Sequence, residues 1–271
     1  MKQKKLIFND PIADTLLIPL FMRAEESQRS DRLFEDKDAK NIIKQLPFDF
    51  SPFKNKRMSQ TGTAIRVSLF DNIARQCLNQ AENPVLVHLG CGLDNRFNRT
   101  DTGKGIHINI DLPEVIEWRN QLYSSQNERN ISFSGSILET DWMDKLLEQY
   151  PDHAFSFFIE GVLIYFPETQ VKQFFNNLMS HFSNVLVCFD SCTNWIVKHC
   201  DQHDTVRMMR ANFKWGIDNP KLLESWSPRL KHIKTISLLK QHPKRWGFRS
   251  VFRLFPPVAK GCNILIYQIT D

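Results

Sequence analysis

Two glycines and one aspartate carry the clearest chemical signal in the sequence. Gly90 and Gly92 form a Gly-x-Gly turn directly after the apolar run at residues 85–89, and Asp111 lies 21 residues beyond Gly90. Glycines let the backbone turn sharply and approach a ligand closely. An acidic side chain at the end of the next strand can accept hydrogen bonds from the two hydroxyls of a ribose. The pattern therefore predicts a turn that binds a nucleoside.

The same region indicates which nucleosides fit. Asn95 stands where a third phosphate-binding glycine would fall, and the sequence has no Walker pattern. Both features argue against a dinucleotide pyrophosphate at the helix N-terminus and against a P-loop NTPase. A ligand without phosphate, such as S-adenosylmethionine, needs only the turn and the acid. A second role is open to Asp111, as N-cap of a helix that begins at Pro113, and the two roles can coexist.

Strand and helix signals alternate on both sides of this turn. That order predicts an α/β fold in which a parallel sheet is covered by helices. Seven runs are strand candidates, at residues 85–89, 106–110, 131–134, 155–159, 185–189, 233–239 and 262–269. Helical patterns precede them at residues 10–25, 36–46 and 61–79.

These patterns also predict the domain organisation. A chain of 271 residues suits one elaborated α/β domain. We expect residues 1–82 to form a helical cover that belongs to the same domain. Residues 83–271 would form the core, with an insertion around 191–230 that adds to the cover. The cover would close over the site and exclude water.

Composition excludes several protein classes. A hydrophobic fraction of 42% and a charged fraction of 24% are ordinary for globular proteins, so disorder is excluded as an overall description. No apolar run is long enough for a membrane helix, and the N-terminus lacks the apolar core of a signal peptide. Six cysteines without a CxxC pair indicate reduced thiols. We therefore predict a cytoplasmic protein that does not bind membranes.

Two further patterns resemble binding sites. His199, Cys200 and His203 have helical spacing, but only Cys192 could complete a set of four ligands, so we predict no metal site. Residues 240–249 interleave cations with aromatic rings, as nucleic-acid binders do. The net charge of +5 is too low to support that function, and we predict no nucleic-acid partner. The cations could instead steer an acidic substrate.

Three linked motifs resemble the leucine carboxyl methyltransferase superfamily. They are Leu-Gly-Cys-Gly-Leu-Asp-Asn-Arg-Phe at residues 89–97, Asp-Leu-Pro-Glu-Val at 111–115 and Glu-Gly-Val-Leu-Ile-Tyr at 160–165. Within that superfamily, the chain is most similar to the tetracenomycin-type polyketide O-methyltransferases. This likeness lies in residues 15–20, Arg23-Ala24 and residues 215–218. The likeness spans nearly the whole chain.

The resemblance implies the class I methyltransferase fold, with a Rossmann-like sheet of order 3-2-1-4-5-7-6 that binds S-adenosylmethionine at the carboxyl ends of its first four strands. Carried over residue by residue, it assigns cofactor contacts. These are Gly90 and Gly92 with the methionine part, Asp111 with the ribose, Ser136 and Ile137 with the adenine, Glu160 at the end of the fourth strand, and Arg66 with the carboxylate of the cofactor or of an acidic substrate.

Some of these positions have other interpretations. Arg66 could lie on an amphipathic helix with Asp71 or Asp10 as its partner. His88 replaces an acidic residue found in many methyltransferases and is interpreted as structural. Ser136 stands where the leucine carboxyl branch has an aspartate, which argues against that branch.

The resemblance implies methylation of a carboxylate or hydroxyl of a small, aromatic or polyketide-like acceptor. Tyr165 and Arg23 are candidates for orienting that acceptor, although Tyr165 is equally typical of a packing residue. A carboxylate or phenolate is already ionised, whereas a neutral hydroxyl would need a base. Two alternatives stay open. One is methylation of a protein C-terminal carboxylate, and the other is a catalytically silent protein that only binds the cofactor.

Overall fold

The sheet of the computed structural model confirms the predicted fold class. The structure describes residue 10 and residues 12–123, 127–200 and 212–271. Their seven-stranded sheet has the order β3-β2-β1-β4-β5-β7-β6. Strands β1 to β5 are parallel, and β7 runs antiparallel between β5 and β6. The strands are β1 Pro84–Leu89, β2 Ile106–Asp111, β3 Asn130–Ser134, β4 Ala154–Ile159, β5 Val185–Cys192, β6 Leu230–Ser237 and β7 Cys262–Ile269.

Helices cover both faces of this sheet. The long helix α3 follows the N-terminal helices, and α7 begins directly after Pro167, a residue whose fixed φ favours a helix start. The described helices are α1 Leu17–Glu26, α2 Lys37–Gln45, α3 Arg57–Gln80, α4 Arg96–Thr100, α5 Pro113–Leu122, α6 Asp141–Gln149, α7 Glu168–His181, α8 Asn194–Lys198, α9 Pro243–Trp246 and α10 Pro256–Ala259.

The sixth strand corrects the sequence prediction. Residues 233–239 were expected, whereas the strand runs over Leu230–Ser237 and a 3-10 turn follows at Leu238–Lys240. The leucines of that turn are buried against α3 and not paired in the sheet. A register shift between His232 and Lys234 leaves Ile233 59% exposed, so apolar character alone did not mark the strand's limits here.

Strand alternation divides the core between the two faces. Val85, Val87 and Leu89 pack in the cluster that includes α6 and α7, whereas Leu86 packs in the cluster with α3. Successive side chains of a strand point to opposite faces, so an almost wholly apolar strand serves both layers. This buries β1 and fixes the position of the turn that follows it.

The N-terminal helices are anchored to the core by shared packing. Side chains of α1 and α2 form a buried cluster with the phenylalanines of residues 48–53. Leu93 from the glycine turn and Val115 from α5 belong to the same cluster. The N-terminal helices therefore pack directly on the turn that carries the chemical signal. No helix within the described ranges combines the length and hydropathy that crossing a bilayer requires.

Candidate functional site

A cavity of about 670 Å³ lies at the carboxyl ends of the central strands. This is the edge at which open α/β sheets bind their ligands. Its lining brings together every residue that the sequence assigned to the cofactor or the acceptor. They are Arg23, Arg66, Gly90, Gly92, Asp111, Ser136, Ile137, Glu160 and Tyr165.

The glycine turn adopts a backbone that only glycine accommodates easily. Gly90 has φ +64° and Gly92 has φ +52°. A Cβ atom on Gly90 would lie 2.3 Å from Cγ2 of Val162, a contact that real side chains do not make. The Gly90 amide donates to the carbonyl of Ile110 at 2.8 Å, which ties the turn to β2. Positive φ and close packing together explain the glycine at position 90.

Asp111 ends β2 and holds the turn from the other side. Its Oδ2 accepts a hydrogen bond from the Gly92 amide at 2.7 Å, and its Oδ1 accepts one from the Leu112 amide at 2.8 Å. The N-cap of α5 is Leu112, so Asp111 does not take the N-cap position that the sequence left open. Burial raises the pKa of Asp111 above its ordinary value, although these two amides partly oppose the rise.

Ser136 and Ile137 form the wall beyond β3. The Ser136 amide donates to Oε2 of Glu139 at 3.0 Å, and the Ser136 carbonyl accepts from Nε1 of Trp142 at 3.0 Å. Ile137 is buried in the core cluster beneath α6. The backbone of this wall is thus fixed by side chains of the following helix.

Arg66 lies between two acids. Its Nε donates to Oε1 of Glu160 at 2.9 Å and its Nη1 donates to Oδ2 of Asp190 at 2.8 Å. The alternative partners considered from sequence, Asp71 and Asp10, are not its partners. Asp71 instead receives hydrogen bonds from Arg96 and Arg99. These two bonds use one hydrogen on Nε and one on Nη1, so both hydrogens of Nη2 and the second hydrogen of Nη1 are left for a ligand.

The two acids beside Arg66 differ in ionisation. Burial acts to raise the pKa of Glu160, but the charges of Arg66 and Arg96 outweigh burial and bring it below its ordinary value. Burial raises the pKa of Asp190, and Arg66 opposes the rise only in part. Glu160 is therefore held as a carboxylate, whereas Asp190 takes up a proton more easily than an ordinary aspartate.

A buried ion-pair network lies beneath the turn. The side chain of Arg96 is 1% exposed, and its Nη2 donates to Oε2 of Glu160 at 2.5 Å. Arg99 forms ion pairs with Asp36, Asp71 and Asp94. Although burial acts to raise it, the charges of neighbouring arginines, Arg99 first, hold the pKa of Asp94 well below its ordinary value.

Arg119, and Arg23 from this network, also hold the turn by its carbonyl groups. Arg119 Nη1 donates to the carbonyls of Gly92 and Asp94, each at 2.7 Å. Arg23 Nη2 donates to the carbonyl of Leu93, while its Nε donates to Oδ2 of Asp36 at 2.8 Å. Arg23 thus lines the cavity, but its guanidinium is engaged by protein groups and stabilises the turn.

Tyr165 and His88 line the cavity as neutral groups. Burial raises the pKa of Tyr165 to about 12, and a hydrogen bond with Thr15 reduces the rise only in part. The ring of Tyr165 packs edge-on against Phe213 at 5.5 Å between centroids. Burial lowers the pKa of His88 well below 6.5, and its Nδ1 has no hydrogen-bond partner among the described residues. At neutral pH, Tyr165 can donate a hydrogen bond but does not act as a phenolate.

Sequence reasoning missed Asp190, which lines the cavity and pairs with Arg66. A signal was present, because Asp190 directly follows the apolar run 185–189 and therefore stands at the carboxyl end of a central strand. It also missed Arg96, Arg99 and Arg119. Asp94 is near Arg96 and Arg99 in the chain, but the other partners of these arginines lie more than twenty residues away. Within the described residues, no group of three His, Cys, Asp or Glu side chains is placed to hold a metal, and His203 lies outside those residues.

Comparison with known proteins agrees with this geometry. The family model for leucine carboxyl methyltransferase matches residues 2–179. The chain belongs to the leucine carboxyl methyltransferase family. The resemblance inferred from the three motifs is thereby confirmed, and the protein is a methyltransferase.

Named relatives extend the likeness over most of the chain. The tetracenomycin polyketide synthesis O-methyltransferase TcmP of Streptomyces glaucescens is 28% identical, over 84% of this chain and 83% of its own. The S-adenosyl-L-methionine-dependent methyltransferase dpfgK of Gibberella zeae is 23% identical, over 93% and 90%.

Solved structures support the fold. The geranyl diphosphate C-methyltransferase of Streptomyces coelicolor A3(2) superposes with a TM-score of 0.51 at 12% identity, covering 82% of each chain. An S-adenosylmethionine-dependent methyltransferase of Clostridium acetobutylicum superposes with a TM-score of 0.50 at 9% identity, covering 74% of this chain and 91% of its own.

Gly90→Ala should lower both stability and ligand affinity. An L-residue at positive φ costs about 1–2 kcal/mol, and the new Cβ must also displace Val162. The matched control is Gly103→Ala, because Gly103 has φ +77° and open space where a Cβ would stand. Chemical denaturation should show a larger loss for Gly90→Ala. Equal losses for the two variants would contradict the proposed contact with Val162.

Asp94→Asn should destabilise the protein by about 3–5 kcal/mol at pH 7, because it removes a buried negative charge that pairs with Arg23, Arg96 and Arg99. Since the folded-state pKa of Asp94 is depressed, its contribution is present above the unfolded value near 3.8 and is lost as the pH falls below it. The difference from wild type in denaturant unfolding should therefore shrink in acid. Asp101→Asn, which removes an exposed partner of Arg129, should cost less than about 1 kcal/mol.

Proposed function

We propose that this methyltransferase transfers a methyl group from S-adenosylmethionine to an oxygen atom of a small, largely apolar acceptor. The methyltransferase class follows from the family, and the donor is S-adenosylmethionine. The oxygen acceptor is supported by the likeness to an O-methyltransferase, and the apolar acceptor by the cavity walls. The observation that carries the proposal is one cavity that joins the glycine turn, Asp111 and Glu160.

The residues around the cavity fit this donor. Gly90 and Gly92 leave room beside the turn because neither has a side chain. Asp111 carries a carboxylate at the end of β2, where ribose hydroxyls can donate to it. Ile137 offers an apolar surface and Ser136 a polar edge for the adenine. When bound, S-adenosylmethionine supplies a methyl group that carries the electrophilic character of a sulfonium.

The charges of the cavity also fit a cation. Asp111, Glu160 and Asp190 line it, whereas Arg66 is the lining cation nearest to Glu160 and Asp190. Opposite charges attract more strongly in a buried site than in water. The acids therefore favour a positively charged ligand group, and Arg66 keeps Glu160 ionised.

The remaining walls suit an apolar acceptor. Apolar side chains from the cover and from the segment between β6 and β7 form them, namely Met58, Ile196, Phe213, Leu238, Leu239, Trp246 and Val258. Methyl transfer is an in-line displacement, so these walls would act mainly by holding the acceptor oxygen in line at about 3 Å. Tyr165 would donate a hydrogen bond to the acceptor, and Asp190 is placed to accept a proton from a hydroxyl.

Asp111→Asn should weaken S-adenosylmethionine binding by about 10- to 100-fold, because hydrogen bonds to a charged group contribute about 1.5–3 kcal/mol. Asparagine keeps an oxygen for the Gly92 amide, so the turn should persist. Calorimetric titration with the demethylated product S-adenosylhomocysteine measures the effect, with Asp101→Asn as the control. Because burial raises the pKa of Asp111, wild-type affinity should start to fall at a higher pH than for an ordinary aspartate.

Failure of folded wild type to bind either compound would refute the donor assignment. If Asp111→Asn and wild type bind with equal affinity, the donor assignment stands but Asp111 does not contribute to binding the donor.

The acceptor proposal is tested by turnover. Wild type should release S-adenosylhomocysteine when S-adenosylmethionine is supplied with aromatic carboxylic acids or phenols, and mass spectrometry should find the methyl group on oxygen. A peptide ending in a leucine carboxylate is the comparison substrate. If only the peptide is methylated, the proposal of a small-molecule acceptor is overturned. If the protein binds the cofactor but releases no S-adenosylhomocysteine with any acceptor, a catalytically silent cofactor-binding protein is favoured.

A further inference from the structure

A second cavity, of about 370 Å³, lies outside the site described above. Four arginines line it, together with polar and aromatic side chains, and no acidic residue is part of its lining. The lining residues are Arg29, Arg57, Gln60, Thr61, Arg245, Trp246, Gly247, Phe248 and Arg249. We call it the arginine cavity.

Two of the four arginines are neutralised by neighbouring acids. Arg29 donates to both carboxylate oxygens of Asp31, from Nε at 2.8 Å and from Nη2 at 3.1 Å. Arg245 pairs with Glu26, a buried carboxylate that also accepts from Gln60 Nε2 at 3.1 Å. These pairs fix the wall of the cavity and leave its remaining charge to the other two arginines.

The other two arginines have charges that no acid balances. Within the described ranges, the guanidinium groups of Arg57 and Arg249 have no hydrogen bond or ion pair with another residue. Arg249 is instead held over the ring of Phe248, at 4.7 Å from its centroid. Four arginines against two acids leave an excess of two positive charges around one cavity.

This excess matches a phosphate monoester. A phosphate monoester carries a charge of about −1.5 to −2 at neutral pH and offers three acceptor oxygens. A carboxylate carries only half that charge. Guanidinium groups suit phosphate because their planar array of donors binds two oxygens at once.

The arginine cavity adjoins the methyl-transfer cavity. Trp246 lines both. Helix α3 also contributes to both, because Arg57 and Thr61 face the arginine cavity while Met58 and Gly62, each one position further along the helix, face the larger one. Trp246 and helix α3 therefore belong to the walls of both spaces.

We propose that the methyl acceptor carries a phosphate group, which Arg57 and Arg249 bind in the arginine cavity while its apolar part passes Trp246 into the methyl-transfer cavity. This inference rests on the proposed function for the reaction itself. It makes the arginine cavity a specificity subsite that selects acceptors with an anionic end remote from the methylated oxygen.

Binding of two probes tests the subsite. Inorganic phosphate reports on the arginine cavity alone, and 1-naphthyl phosphate adds an apolar group that could pass Trp246. We expect the naphthyl ester to bind wild type at least tenfold more tightly than inorganic phosphate. The double variant Arg57→Gln/Arg249→Gln should bind the ester at least tenfold more weakly than wild type. Neither side chain has an acidic partner among the described residues, and the contact of Arg249 with Phe248 lies at the surface, so the variant should fold normally.

The control variant is Lys44→Gln/Lys172→Gln, which removes the same charge from exposed positions on α2 and α7. It should change affinity for the ester less than twofold. Equal losses in the two double variants would show that net charge alone attracts the probe and would overturn the subsite. An ester that binds no more tightly than phosphate would show an isolated anion site, which also overturns the proposed acceptor class.

Calorimetry with S-adenosylhomocysteine separates this inference from the proposed function. Its affinity should be equal in wild type and both double variants, because neither pair of residues lines the cofactor side of the larger cavity. Normal cofactor binding with no effect at the arginines would overturn the subsite and leave the methyltransferase intact. Loss of cofactor binding by wild type would instead refute the donor assignment.

Discussion

The buried ion pairs beneath the glycine turn are the interaction on which the site depends. A turn with two residues at positive φ exposes its carbonyl groups to the interior, where each needs a donor. Arg119 and Arg23 supply those donors to Gly92, Leu93 and Asp94. A buried guanidinium is stable only when a carboxylate balances it, which explains the acids packed around it.

Glu160 joins this network to the cavity. One of its oxygens accepts from Arg96 in the buried network, and the other accepts from Arg66 at the cavity wall. A change in the ionisation or position of Glu160 therefore affects the turn and the ligand site together. This shared carboxylate explains how the end of β4 can be coupled to the turn after β1, since the two strands are direct neighbours.

The fold was accessible from sequence because its signals are local. The Gly-x-Gly turn, the aspartate that ends β2 and the apolar strands are each visible within about ten residues, and the family motifs order them. The limits of β6 were not accessible, because burial of Leu238 and Leu239 depends on α3, far away in the chain. The alternative that paired Arg66 with Asp71 or Asp10 was wrong for the same reason, since Glu160 and Asp190 are brought to Arg66 only by the folded sheet.

Burial decides which arginines can bind a ligand. Arg96 and Arg99 are almost fully enclosed, so their charges must be matched by the protein in every state, and a ligand anion would have to displace a carboxylate. Arg66, with 19% of its side chain exposed, is less enclosed than Arg96 and Arg99 but keeps two acidic partners. A ligand carboxylate at Arg66 must therefore share its guanidinium with Glu160 and Asp190.

Arg66 can also act on a ligand without giving up Glu160 or Asp190 as a partner. By holding Glu160 ionised next to the cavity, it maintains negative charge where a sulfonium would lie, and the pair remains intact throughout binding. Arg57 and Arg249 have no acidic partner among the described residues. Arg57 is exposed and Arg249 half-buried, so contact with water makes their unbalanced charge tolerable. Arg57 and Arg249 are therefore suited to bind an anion. The acids beside Arg66 are suited to stabilise a cation.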